Sequence, residues 1–185
     1  EAEAFQQRYL SLIDTLAAET ASWKTDDLRR ERAFPSLNVS VKPSSLYSRA
    51  APWNHRDSVE RLKDRLRPIF RKGLENGGYV HVDMEDHSLK DLSIDVFLEL
   101  LEETEFRAWD GAGITIQAYL RSAWRDLSRL IGWAAARRRR ITVRLVKGAY
   151  WEYEKTVAGQ RGWPVPVFTS KTHTDWHFEK CVELA

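Results

Sequence analysis

Four short runs in this chain alternate apolar and polar residues, and an amphipathic segment separates each run from the next. The runs are Leu37–Lys42, Tyr79–Asp83, Gly113–Gln117 and Ile141–Val146. Between them lie Asp57–Asn76, Leu89–Thr104 and Ala123–Arg138, each long enough for a helix of about four turns. In the first of these, Val59, Leu62, Leu66, Ile69 and Phe70 fall on one stripe, and Gly77-Gly78 closes it as a C-terminal cap would. Strands alternating with single helices imply βαβ units, a parallel sheet and right-handed crossovers. The class expected is therefore α/β, with four βα units. Two further helices are expected at Trp151–Ala158 and Thr174–Leu184, with Trp163-Pro164-Val165-Pro166 as a loop. Ahead of this block, Phe5, Tyr9, Leu10, Ile13, Leu16 and Ala17 mark a helix, followed by a charged connector, Lys24 to Arg32. The expected organisation is an N-terminal helix and connector over 1–33 and an α/β unit over 34–185.

Buried parallel strands usually read as continuous apolar runs. Here one face of each strand is apolar and the other polar, so the apolar face should pack on the helices. The polar face ends in Lys42, Asp83, Gln117 and Arg144, one from each strand. Ligands of α/β folds sit at the carboxyl ends of the strands, so these four residues should converge on a site. An antiparallel sheet with a solvated face is the competing reading, and the intervening helices argue against it. Four parallel strands left open expose two edges and a polar face. The chain therefore forms either a smaller open sheet or part of a closed barrel, which runs to about 250 residues. The charges nearly balance, 29 basic against 27 acidic, which favours neither nucleic acid nor an acidic partner. One cysteine, Cys181, excludes an internal disulfide and suits a reducing compartment.

Arg144-Leu145-Val146-Lys147-Gly148-Ala149-Tyr150-Trp151-Glu152 reads as a strand end, a glycine turn and a helix start. Free backbone N–H groups there suit an anion or the polar edge of a ring, and Tyr150 and Trp151 offer flat apolar surface. Thr169-Ser170-Lys171-Thr172-His173-Thr174-Asp175 precedes the last helix and would suit a phosphate; plain capping by Thr172 or Thr174 explains it equally well. His81, Asp83 and Glu85 share one face of a strand, as a metal site would need, and His173, Asp175 and His177 would extend it. Arg137–Arg140 reads as a solvated helix cap. No dinucleotide fingerprint or phosphate-binding Walker loop occurs.

The segments Asn38–Leu46, Val80–Glu85, Ile116–Tyr119 and Arg144–Glu152 resemble, in order and spacing, the proline dehydrogenase domain. The resemblance is to the form found in bifunctional proline utilisation proteins, where an aldehyde dehydrogenase domain follows. It implies a (βα)8 TIM-like barrel holding FAD, of which this chain is the first half, preceded by an N-terminal helix. It implies oxidation of L-proline to Δ1-pyrroline-5-carboxylate, with electrons passed to a quinone. Carried over, Lys42 and Asp83 stand next to the substrate, and Asp83 also near the flavin. Gln117 and Arg144 contact the flavin ring, and Tyr150 packs on the proline ring. Lys147, Gly148, Ala149 and Trp151 line the cofactor, while Thr169, Lys171 and Thr174 surround its phosphates and adenosine. Family members often carry Arg where this chain has Ser170. The family's later strands and its final helix, with two substrate-binding Arg, have no counterpart here, so the chain alone is expected to be inactive. The resemblance places such a protein in the cytoplasm, peripheral at the inner membrane at most, with no nucleic-acid partner and no metal. A metal-dependent barrel hydrolase using His81, Asp83 and His173 is the competing enzyme class; a non-catalytic interaction fragment is the other alternative.

Overall fold

A computed structural model describes residues 2–21 and 35–185. The charged connector expected at 24–32 lies outside the described residues. Helix α1 (Ala2–Thr20) is followed by β1 (Asn38–Val41), a single turn α2 (Pro43–Leu46), α3 (His55–Glu75), β2 (Tyr79–Val82), α4 (Lys90–Glu102), β3 (Ala112–Gln117), α5 (Ala123–Arg137), β4 (Thr142–Val146), α6 (Trp151–Arg161) and α7 (Lys171–Leu184). Short 3₁₀ turns at Pro52–Asn54 and His87–Leu89 lead into α3 and α4.

The strands pair in sequence order, β1-β2-β3-β4, and every pair is parallel. No strand is skipped, so the sheet has no topological switch point. With right-handed crossovers, such an order lays every connecting helix on the same face. This is the singly wound arrangement of a barrel wall. The register sets Val39 beside Val80, Val82 beside Ile114, and Ile116 beside Leu145. The helix stripe Val59, Leu62, Leu66, Ile69 and Phe70 is fully buried against this layer. Each such side chain contributes about 1.5–3 kcal/mol by leaving water. At the far end Phe70, Phe106 and Trp109 meet edge-on or tilted, with ring centroids 5.5–6.2 Å apart. Helix α1 lies on α3, where Gln6 donates to the Arg65 carbonyl at 2.8 Å and Ile13 is fully buried.

Three expectations change. All six residues of β3 are buried, including the polar-face Thr115 and Gln117. The reason is small residues in register with large ones: Gly113 faces His81, whose imidazole fills the space a Cβ would need. Next, α7 begins at Lys171 rather than Thr174, with Ser170 at its N-cap. Lys171 therefore opens the helix and Thr174 closes its first turn. Finally, the Arg run is a solvated cap only in part: Arg138, Arg139 and Arg140 are exposed, but Arg137 is not. Arg137 donates to the carbonyls of Phe106 and Trp109 at 2.6 and 3.2 Å and stacks on Trp133, while Arg138, at φ 55°, ends α5. Among the described residues no helix is long and apolar enough to cross a membrane.

Candidate active site

The carboxyl ends of the four strands carry two linked clusters. The first is organised by Arg144. Its guanidinium reaches from β4 across β3 to form an ion pair with Asp83, just past β2. It also donates to Thr115 Oγ1 at 3.2 Å and to Ser40 Oγ at 3.5 Å. One side chain thus ties all four strands, a task suited to a planar, permanently charged fork of donors. His81 Nε2 lies 3.1 Å from the same Thr115 hydroxyl.

Asp83 thus pairs with Arg144 and not with Lys42, although Lys42 follows the neighbouring strand. Lys42 is exposed and its ammonium has no partner among the described residues. The small side chains on β3 let Arg144 pass over that strand and claim the carboxylate. The acidic and histidine residues considered for a metal are also committed elsewhere. Glu85 accepts from Ser44 N and Oγ at 2.9 and 2.6 Å, and His177 Nδ1 donates to the Ala118 carbonyl at 2.7 Å. Among the described residues no three His, Cys, Asp or Glu side chains come together as metal ligands.

Burial, reinforced by the Arg144 charge, pushes the His81 imidazole down to about 4. His81 is 5% exposed and therefore neutral at pH 7. Unfolded, it takes a proton near pH 6.5. The native fold should then be unaffected by this group above pH 6.5 and lose stability as pH falls from 6.5 toward 4. A shift of this size is worth on the order of 3 kcal/mol. Denaturant midpoints at pH 7 and pH 4 should differ less for His81→Asn than for the native protein, because the variant lacks this loss. Equal pH slopes would contradict a neutral His81.

The second cluster surrounds a cavity of about 260 Å³ lined by Tyr119, Lys147, Gly148, Trp151, Thr169, Lys171, Thr174 and Asp175. Pairing of β3 with β4 continues past both strands: Ala118 N and Tyr119 N donate to the carbonyls of Val146 and Lys147, both at 2.7 Å. Gly148 then turns at φ 131°, with the buried Tyr119 ring where a Cβ would stand. Trp151 opens α6, and its indole N–H donates to the Phe168 carbonyl at 2.7 Å. Phe168 N in turn donates to the Tyr119 carbonyl at 2.8 Å. On the opposite wall Asp175 draws in Lys147 at 2.5 Å and Lys171 at 2.6 Å. The two ammonium groups hold its carboxyl below the usual range. Burial, with the nearby Glu154 carboxylate, pushes the Tyr119 hydroxyl up, so it stays protonated.

Six of the residues expected at a cofactor line this cavity: Lys147, Gly148, Trp151, Thr169, Lys171 and Thr174. Ala149 and Tyr150 do not; Ala149 is exposed, and half-buried Tyr150 is the N-cap of α6. Gln117 is buried, and its Oε1 accepts no hydrogen bond. Tyr119 and Asp175 are wall residues that the sequence does not assign to a cofactor; Asp175 is considered there only for a metal. Their signals were faint: Tyr119 stands two residues past a strand end, and Asp175 one helical turn after Lys171. Two lysines beside the first turn of a 14-residue helix suit phosphate. An unfilled buried acceptor, a glycine that clears space and an indole suit the polar edge and face of a flat ring. The residues present therefore suit a ligand that carries phosphate and a flat ring with a polar edge.

Comparison with known proteins gives the family. The model of the family described as proline dehydrogenase matches residues 1–185. The bifunctional protein PutA of Klebsiella aerogenes is 32% identical over 151 residues, covering 81% of this chain and 12% of that protein. The PutA of Rhizobium meliloti is 32% identical over 161 residues, 85% of this chain and 13% of its own length. The chain thus spans about an eighth of these curated relatives. A crystal structure of proline utilization A from Bdellovibrio bacteriovorus, inactivated by N-propargylglycine, superposes with a TM-score of 0.95 at 43% identity. It covers 100% of this chain and 20% of that one. The four-stranded parallel sheet is accordingly part of a TIM-barrel-like fold.

Proposed function

The chain belongs to the proline dehydrogenase family, and from that premise we propose that it contributes one half of a flavin site where L-proline is oxidised to Δ1-pyrroline-5-carboxylate. The cavity at the β4–α6 turn carries this reading. Six residues selected from sequence line it, and their chemistry is that of a phosphate-bearing aromatic ligand. A bound FAD would supply the acceptor for the hydride equivalent lost from the substrate ring, with a quinone as the final electron acceptor.

The chain's own residues bind and orient. Lys171 and Lys147, with the first turn of α7, hold the phosphates, and the ligand's negative charge replaces part of what Asp175 supplies. Gln117 offers its free Oε1 to an N–H of the ring. Arg144 is fixed by Asp83, Thr115 and Ser40 before any ligand arrives, so its positive charge needs no rearrangement to favour an electron-rich ring. Lys42 is uncommitted and available, with Asp83, to the amino acid. Tyr150, at the start of α6, packs against the proline ring. In the family that the sequence resembles, further site residues lie on later strands, so turnover belongs to the longer chain. In a parent of the bifunctional kind, an aldehyde dehydrogenase domain would take the product.

The test is an anaerobic visible spectrum of the full-length protein before and after L-proline. A flavin spectrum that bleaches on addition is the expected result. A colourless protein unable to take up FAD would overturn the proposal.

A further inference from the structure

Glu154 has no part in the chemistry above, yet it is placed at unusual cost. It stands in the first turn of α6, 5% exposed, and belongs to no ion pair among the described residues. Burial pushes its carboxyl up, and the His87 amide, which it accepts, works against that. A carboxylate buried without a cation is expensive; an apolar side chain would fill the space without the penalty. What the carboxylate adds is one bond: Oε1 accepts from His87 N at 2.6 Å. Such a charge-assisted bond is strong, and a helix's first turn favours the negative end.

That bond joins two parts of the site. His87 ends the loop that begins at Asp83. The same loop is pinned on its other side, where Glu85 holds Ser44 beyond β1. Helix α6 starts at Trp151, on the cavity wall. The Glu154 charge also reaches the Tyr119 hydroxyl. The loop after β2 and the helix that follows β4 therefore meet at this carboxylate.

We propose that Glu154 is a positioning residue: by clamping His87 N–H it sets the spacing between the Asp83 loop and the Lys147–Trp151 turn. The inference rests on the flavin-site reading for its effect on turnover, though not for the clamp itself.

Three variants of the full-length protein separate the contributions. Glu154→Leu removes bond and charge. Glu154→Gln keeps an accepting oxygen. His87→Pro removes the N–H, and the imidazole with it: His87 is the first residue of its 3₁₀ turn, and Asp86 before it is extended at φ −69°, ψ 164°, as a residue preceding proline requires. Hydrogen exchange across residues 83–88 is followed in flavin-free protein, and kcat and KM for L-proline in the holoenzyme. Exchange in Glu154→Leu and His87→Pro should rise at least tenfold. Their kcat should fall about tenfold while KM moves less than threefold. Glu154→Gln should stay within threefold of the native protein in all three. Native exchange in His87→Pro, or a Glu154→Gln as impaired as Glu154→Leu, would overturn the clamp. If Glu154→Leu does not fold, His87→Pro and Glu154→Gln decide alone. A native holoenzyme indifferent to proline would refute the proposed function instead, and the exchange measurements would still rule on Glu154.

Discussion

Gly148→Ala is expected to empty the flavin site. At φ 131° a residue with a side chain is strained by about 1–3 kcal/mol. Its Cβ would also stand 2.5 Å from Tyr119 Cδ1 and 2.6 Å from Cε1 and Cγ. The ring cannot step aside easily. Tyr119 is 2% exposed, its N–H is bonded to the Lys147 carbonyl, and its own carbonyl accepts from Phe168. Either the turn carrying Lys147 and Trp151 moves away from β3, or the ring is driven toward the cavity that both line. The purified full-length variant should hold less than a tenth of the native flavin while remaining folded. Gly132→Ala and Gly159→Ala are the controls. Both lie inside helices, where a Cβ meets nothing within 4 Å. They should keep full flavin and gain up to about 1 kcal/mol each from helix propensity. A stoichiometric flavin in Gly148→Ala would mean that the turn does not face the cofactor.

The backbone of this region was legible in sequence, because its two periods are clean. The stripe Val59–Phe70 and the alternation Leu37–Lys42 place α3 and β1 to within a residue or two. The site was legible as far as strand ends: Lys42, Asp83 and Gln117 stand at the carboxyl ends of their strands, Arg144 sits mid-strand in β4, and six residues of two motifs line the cavity. What was not legible depends on reach across the sheet. A sequence shows that Asp83 and Lys42 follow neighbouring strands; it does not show that Arg144 crosses β3 at Thr115. The burial of β3 has the same origin, since His81 lies over Gly113 only once the register of β2 and β3 is known. Tyr119 and Gly148 are 29 residues apart in sequence, and neither advertises that one requires the other to lack a Cβ. Arg137 reads as a surface cation until the open carbonyls of Phe106 and Trp109 are placed beneath it.

Arg144→Met tests that crossing directly and should produce the largest kinetic effect. Methionine keeps most of the side-chain length and removes the charge. Three things then follow from one substitution. Asp83 loses its partner with its side chain only 20% exposed, so its loop is held by Glu85 and Glu154 alone. The pre-organised positive charge beside the proposed flavin disappears, and the rate constant for flavin reduction by proline should fall at least 100-fold, about 2.7 kcal/mol of barrier. His81 also loses the cation that helps to depress it. Removing a positive neighbour favours the protonated imidazole, so the His81 pKa should rise from about 4 toward 6.5. Nuclear magnetic resonance titration of the His81 ring reads this shift without any substrate. The two readouts are separable. A risen His81 pKa with an unchanged reduction rate would leave Arg144 as a structural tie across the strands and remove it from the chemistry. A fallen rate with an unmoved His81 would mean that Arg144 adopts another position in the holoenzyme, away from Thr115. Arg144→Lys sharpens the choice: it restores the charge near His81 but not the fork that binds Asp83, Thr115 and Ser40 together. It should therefore recover the depressed imidazole more fully than the lost rate.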